Sequence, residues 1–429
     1  MRVKFFFATH IETQHMSEMK RKLSDQLIDT LVDDILIMIT RRLEIRDRLK
    51  FVATNAALRA RRFALMGSLP PGRSWREYDS WITTMRNAAC LPVAVIGEVS
   101  MFATSGTLFM IDSLEDGDID LRIVTRNMNI ASVSARGDVI AAVSTTGRVH
   151  MLTVHSSKLR PFTPPELKHT KILSVSVGGD HIIAMDDTGV VFCYGDNDHG
   201  QCGLRMKIEE ENYKWRRVPL EEDIRACRVS AGDCYSLVVT EGGQLYAFGA
   251  FPGSENTSHH RLVPFPARII IVSAAAGSDH ALALTEGGDV FAWGRNQQGQ
   301  LGIAGLDTDA LQATPTRVFP DSASVCTSCL FSVVAASGNT SGAVTDTGVV
   351  YLWGLLHNEC FGSPFIEPSV FEMCANEHVT AMSLNSKRML CVTREGSVIG
   401  CNFETHDALK FPRAEGDRIA TSAAALARA

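Results

Sequence analysis

The chain has 429 residues, of which 45% are apolar and 21% charged, and a net charge of −6. This is the balance of a soluble globular protein long enough for a large core and more than one module. It excludes a membrane-spanning helix, because no apolar run approaches about 18 residues.

The first residues, Met1-Arg2-Val3-Lys4-Phe5-Phe6-Phe7, look like the start of a secretory signal. The apolar run stops at Ala8, before His10 and Glu12, and is too short for one. Residues 1–22 are expected to be a flexible N-terminus.

Residues 23–90 read as a small helical module. Leu27, Leu31, Ile35, Met38 and Ile39 recur at helical spacing, with Asp29, Asp33, Asp34, Arg41 and Arg42 largely opposite. The rhythm breaks at Leu43-Glu44-Ile45. Asp47 can cap a second helix, whose apolar side is Leu49, Val52, Ala53, Ala56 and Ala60. Arg59, Arg61 and Arg62 suit its C-terminal end, and "LPPG" at residues 69–72 closes the hairpin. "SWREYDSWITTMRNAA" supplies one more helix. Residues 1–92 hold sixteen basic and ten acidic side chains, a surplus of +6, which leaves −12 for residues 93–429. An acidic region of that kind is a poor general binder of duplex nucleic acid, and direct nucleic-acid binding is not expected.

From about residue 91 a hairpin recurs. "DHALALTEGGDVFAWG" from Asp279 has counterparts beginning at Asp180, Asp233 and Asn339, and weaker copies at "VSMFATSGTLFMI", "DVIAAVSTTGRVHMLTV" and "KRMLCVTREGSVIGCNF". Each is a short apolar strand, a turn containing glycine and a second apolar strand. The predicted turn glycines are Gly106, Gly147, Gly189, Gly242, Gly287, Gly348 and Gly396, spaced by 41, 42, 53, 45, 61 and 48 residues. One hairpin cannot bury its apolar face in water. Four-stranded units arranged in a ring can, and closing the ring protects the edges. The fold class expected for residues 91–429 is therefore an all-β, seven-bladed β-propeller. The C-terminal residues 417–427 are expected to begin by pairing with the first or last blade. No Gly-x-Gly-x-x-Gly joins a strand to a helix, which excludes a dinucleotide fold.

The longest gaps mark two insertions, residues 205–223 and 304–331. The first mixes Glu209, Glu210 and Glu211 with Lys214, Trp215, Arg216 and Arg217. Glu209, Trp215, Arg216 and Arg217 are a candidate protein-docking loop, the alternative being a solvated connection. Eleven cysteines in this length are not a disulfide scaffold. Cys193, Cys202, Cys234, Cys360 and Cys391 fall in or beside repeat strands and read as small buried thiols. "CTSC" at residues 326–329 lacks the second pair that zinc requires. No catalytic motif, metal site or cofactor site is expected, and His181 and His280 read as architectural.

At these residues the repeat resembles that of the regulator of chromosome condensation (RCC1) family. Gly277, His280, Gly287, Trp293-Gly294, Asn296 and Gly299-Gln300-Leu301-Gly302 follow its pattern. So do Gly179, His181, Gly189, Tyr194-Gly195, Asn197 and Gly200-Gln201-Cys202-Gly203, with Tyr for Trp and Cys for Leu. The other copies keep less. The resemblance implies a propeller that binds proteins. Family members include an exchange factor for the small GTPase Ran, other binding modules and parts of ubiquitin ligases.

The N-terminal module resembles an F-box, with Val32 where the family has proline and an Ala-Leu-Arg-Ala-Arg-Arg ending in place of the usual one. That resemblance implies that Leu31, Ile35, Leu36, Ile39, Leu43, Leu49 and Val52 face a Skp1-like partner. A helical cap on the propeller and a DNA- or histone-binding arm are the alternatives. Two functions follow. The first is a non-catalytic adaptor that recruits substrates to a Skp1–cullin ubiquitin ligase. The second is an RCC1-like exchange factor or chromatin-associated regulator acting on a Ran-like GTPase. Both are cytoplasmic or nuclear, and both work without a cofactor.

Overall fold

The computed structural model describes residues 93–411, apart from several loop segments. The longest of these are 112–120, 154–159, 206–212, 320–329 and 357–364. The described residues form seven four-stranded antiparallel sheets. These are the predicted seven blades, at residues 93–125, 130–161, 172–217, 226–262, 271–317, 331–370 and 379–411. Every blade is built from four consecutive strands. The inner strand of blade 1, Val93–Ile96, packs against the first two strands of blade 7, so the ring closes by blade-to-blade packing. Residues 417–427, expected to pair with an end blade, lie outside the described residues, as does the helical module at 23–90.

The core lies between blades. Buried side chains of blades 2 and 3 form one cluster, around Val143, Val149, Ile172 and Ile182. Blades 3 and 4 form another around Ile183, Val191, Val238 and Phe248, and blades 4 and 5 a third around Tyr235, Leu237, Ala283 and Trp293. The second strand of blade 5, His280–Thr285, is buried along its whole length because both its faces meet a neighbouring blade. Each fully buried large side chain, such as Trp353 or Phe248, contributes about 1.5–3 kcal/mol only when the next blade is present. That is why the unit must repeat.

The glycine turns set the spacing between blades. Gly147, Gly189, Gly348 and Gly396 have positive φ, and Gly106 lies outside the described residues. In blades 4 and 5 the equivalent residue is the second of the pair, Gly243 (φ 78°) and Gly288 (φ 78°), not the predicted Gly242 and Gly287. A sequence pattern cannot tell which of two adjacent glycines takes the left-handed position. At the turns of blades 2 to 5 the glycine carbonyl accepts the N–H of the first residue in the next inner strand. The pairs are Ile172 to Gly147 (3.2 Å), Ala226 to Gly189 (2.9 Å), Ile271 to Gly243 (2.9 Å) and Phe331 to Gly288 (3.1 Å). At Gly189 a Cβ would stand 2.8 Å from the Ala226 carbonyl oxygen. Both the conformation and the close approach thus require glycine there.

Near the axis, serines add a second blade-to-blade link. Ser134, Ser176 and Ser230 each accept, at 3.0 Å, a backbone N–H from the neighbouring inner strand, at Val177, Ala231 and Ala276. With Ser132, Ser273, Ser383, Arg136 and Arg228 they line a central channel of about 190 Å³. Among the described residues no helix is long and apolar enough to cross a membrane.

Candidate partner-binding face

The glycine turns occupy one face of the ring. The opposite face is made by the loops from first to second strand and from third to outer strand of each blade. In blades 3 and 5 it is built on a buried histidine. His181 and His280 begin the second strands of blades 3 and 5 and are buried. Their Nε2 atoms lie 2.8 Å from Ser236 Oγ and 2.7 Å from Ser341 Oγ, each in the following blade. Those hydroxyls in turn donate to the carbonyls of Gln201 (2.8 Å) and Gln300 (2.7 Å). A serine has one proton to give, so Nε2–H is the donor to Oγ and Nδ1 carries a lone pair. Neither Nδ1 has a hydrogen-bond partner. A second ring proton would have no acceptor. Burial, followed by the Arg136 charge, lowers both histidines to about 3. In blade 4 the same position is Tyr235, whose hydroxyl points at the backbone oxygens of Gly277 (3.2 Å) and His280 (2.5 Å) in blade 5.

The Asn-x-x-Gly-Gln-x-Gly segments fold the adjoining loops. In blade 3 Asn197 Nδ2 donates to the Leu204 carbonyl and Asn197 Oδ1 accepts from Cys202 N, both at 2.8 Å. In blade 5 the same bonds join Asn296 to Asp307 (3.2 Å) and to Leu301 (3.1 Å). Gln201 Oε1 and Gln300 Oε1 accept the N–H groups of His199 (2.9 Å) and Gln298 (2.8 Å). Cys202 and Cys193 are joined in a disulfide, which corrects the reading of both as free thiols. They stand where blade 5 has Leu301 and Ala292, both buried.

What these loops present is negative. Asp138, Asp180, Asp198, Asp279, Asp307 and Asp309 are exposed on them. Cys234, half-buried between blades, registers that field. Its thiol is raised by burial and then by Asp233, Asp180, Asp279 and Asp196. Two arginines are engaged at this face. Arg295 lies 3.8 Å from Asp279. Arg136, at the end of the inner strand of blade 2, reaches across the ring to blades 4 and 5. It is ion-paired with Asp233, donates to Ser278 Oγ (3.0 Å) and approaches the Ala231 carbonyl (3.5 Å). One side chain therefore ties three blades at the channel mouth.

The residues predicted from sequence as sites are not brought together here. Leu31, Ile35, Leu36, Ile39, Leu43, Leu49, Val52 and Glu209 lie outside the described residues. Trp215 is buried, which corrects its reading as part of an exposed docking loop. Its Nε1 donates to the Phe162 carbonyl (3.3 Å), and its ring centroid lies 5.9 Å from Phe162 and 5.7 Å from Tyr194. Arg216 and Arg217 are the short outer strand of blade 3, paired with Cys193 and Phe192. Trp215 had more to gain by covering the seam between blades 2 and 3 than by facing water. The contribution of Arg136 and Asp233 had no signal in the sequence, since their pairing spans 97 positions.

The family model described as "Regulator of chromosome condensation (RCC1) repeat" matches residues 172–201 and 271–300, and a second of the same description matches 287–344. The chain is 31% identical over 106 residues to the RCC1-like G exchanging factor-like protein of Mus musculus, covering 24% of this chain and 23% of that one. It is similar in fold to Prp20p of Saccharomyces cerevisiae, described with its binding to Gsp1p and histones (TM-score 0.58, 16% identity, 79% and 85% of the two chains). It is similar too to yeast RCC1 (Prp20) in a structure with Kap60 (TM-score 0.59, 17% identity, 78% and 82%). The chain spans about a quarter or less of the length of the curated relatives it matches. The described residues have the RCC1-repeat propeller fold.

Proposed function

We propose that this protein is a regulator of a Ran-like small GTPase that acts as a nucleotide exchange factor, with the acidic loop face as its docking surface. The observation that carries this reading is the Arg136 tether. It holds the loops of blades 2, 4 and 5 in one arrangement around a cluster of carboxylates. The likeness to the mouse exchanging-factor-like protein and to Prp20p supports the same choice. It favours exchange over the ubiquitin-ligase adaptor, which rests on residues outside the described structure. A Ran-type partner implies a nuclear setting.

No covalent step is needed. An exchange factor binds the nucleotide-free GTPase more tightly than the loaded one. By linkage, its binding then weakens nucleotide binding by the same factor. The face has to be preorganised, because side-chain ordering at the moment of docking subtracts from the differential affinity. Carboxylates on it attract a basic partner surface and speed encounter, an effect that salt screens.

Release of a fluorescent GDP analogue from purified Ran-type GTPase tests the reading. The full chain should accelerate release, and raising the ionic strength should reduce its kcat/KM. Arg136→Ala should lower kcat/KM by about tenfold or more, the equivalent of about 1.4 kcal/mol lost in the docked state. Release no faster than in buffer would discard the exchange function. Unchanged activity of Arg136→Ala would remove this face from it.

A further inference from the structure

We infer that Thr314, on the outer strand of blade 5, is a phosphorylation site for a proline-directed protein kinase. The inference is independent of the proposed exchange activity.

The chain has three pairs in which proline follows a hydroxyl residue, Thr163-Pro164, Thr314-Pro315 and Ser363-Pro364. Proline at that place removes a backbone N–H and fixes φ. The residue after the acceptor can then enter an apolar pocket without leaving a donor unpaired. Kinases of this class also favour a basic residue three positions after the acceptor. Thr314 alone has one, Arg317, where the other two pairs have Glu166 and Ile366.

The fold separates the candidates further. Thr163 Oγ1 is used inside the protein, accepting the Val149 N–H (2.8 Å) and donating to the Val149 carbonyl (3.1 Å). Ser363 lies outside the described residues. Thr314 is exposed, on a strand that has a neighbour on one side only. Even on that side it is out of the ladder. Thr316 pairs with Ala292 and Gln312 with Gly294, so Ala313, Thr314 and Pro315 stand opposite Trp293 as a bulge. The Thr314 hydroxyl accepts a hydrogen bond from Gln312 Nε2 (3.2 Å), and its own proton has no acceptor among the described residues. Arg317 is paired with Asp289, and both side chains are partly exposed. A pair of this kind contributes little to stability and can be given up to a kinase.

Blade 6 indicates what charge does at this place. Its outer strand, Phe365–Val370, makes the same bulge. Ser369 pairs with Leu352 and Phe365 with Gly354, which leaves Ile366, Glu367 and Pro368 opposite Trp353. Pro368 matches Pro315, and Glu367 matches Thr314. A hydrogen bond is repeated as well. Thr316 Oγ1 donates to the Thr314 carbonyl (3.3 Å), and Ser369 Oγ donates to the Glu367 carbonyl (3.4 Å). An exposed carboxylate thus occupies in blade 6 the place that a phosphate on Thr314 takes in blade 5. A phosphothreonine carries a charge of about −1.5 to −2 at neutral pH. Charge on an edge strand opposes its pairing with another chain. Phosphorylation gives blade 5 the edge protection that blade 6 has permanently in Glu367.

In the reaction Thr314 Oγ1 attacks the γ-phosphorus of ATP. The new O–P bond forms as the bond from the γ-phosphorus to the β–γ bridging oxygen breaks. ADP departs with that electron pair, and the hydroxyl proton passes to the catalytic carboxylate of the kinase.

The test is incubation of the folded full chain with a purified cyclin-dependent kinase and magnesium ATP, followed by tryptic mapping. The peptide of residues 296–317 should gain one phosphate, placed on Thr314 by fragmentation. Its rate should lie within about tenfold of that of a free peptide of residues 305–323, because a bulge on a free edge needs no wider unfolding. Thr314→Ala should abolish the gain, and Thr316→Ala should leave it. Thr163 should stay unmodified until urea unfolds the chain. The wild-type map decides the matter if a variant does not fold. No phosphate on Thr314 of the folded chain, phosphate on Thr316 or Thr163 in its place, or a rate below that limit overturns the inference.

Discussion

His181 and His280 are held neutral by their surroundings, and this gives the fold a pH dependence of definite sign. Their folded value is about 3 against 6.5 unperturbed. Below pH 6.5 the unfolded chain binds protons that the folded chain refuses. Stability is therefore undiminished above that value and falls as pH drops through the window from 6.5 toward 3. Two such groups cost about 2–3 kcal/mol between pH 7 and 5.5. Urea unfolding across that range should show this slope, and a variant with His181→Gln and His280→Gln should show a shallower one. A slope unchanged by both substitutions would mean the rings titrate normally. Trp215 carries a second residue-scale expectation. As a buried seam residue, Trp215→Ala should cost about 3–5 kcal/mol, whereas an exposed docking residue would cost almost nothing in stability.

At the scale of the element, the turn between second and third strand separates adjacent glycines. A Cβ on Gly287 meets Thr285 Oγ1 at 3.6 Å and Asp289 Oδ2 at 3.7 Å, ordinary contacts, and its φ is not positive. A Cβ on Gly288 meets Leu330 Cβ at 2.9 Å, on a residue with φ 78°. Gly287→Ala should be neutral or gain about 0.5 kcal/mol from the unfolded chain. Gly288→Ala should lose about 1–3 kcal/mol. Denaturant midpoints compare the two, and equal effects would refute the blade-spacing role of the second glycine. The elements also differ in how well they can be read from sequence. Second and third strands such as His280–Thr285 and Val290–Arg295 are apolar on both faces and stand out. Outer strands do not. Leu311–Arg317 is mostly exposed, polar and contains Pro315, so part of what reads as an insertion at 304–331 is the edge of blade 5. An edge strand needs no hydrophobic period, because solvent covers its outer side.

For the whole molecule, the proposed exchange function predicts that the ring works without the N-terminal residues. If exchange resides in the loop face, a chain lacking residues 1–90 should keep the kcat/KM of the full chain within about threefold, a difference of under 1 kcal/mol. Exchange lost with the deletion, alongside capture of a Skp1-like protein by the full chain alone, would move the function to Leu31, Ile35 and Ile39 and restore the adaptor. The number of blades was legible because it is a count of local hairpins, each written in about 15 contiguous residues. The motif residues His181, His280, Asn197 and Gln300 were legible for the same reason. The acidic loop face was not. Arg136 meets Asp233 and Ser278 from 97 and 142 positions away. Local pattern determines which segments become strands and where the chain turns, since those depend on neighbours in sequence. Which side chains then share a surface depends on the radius and closure of the ring, and only the assembled tertiary structure decides it.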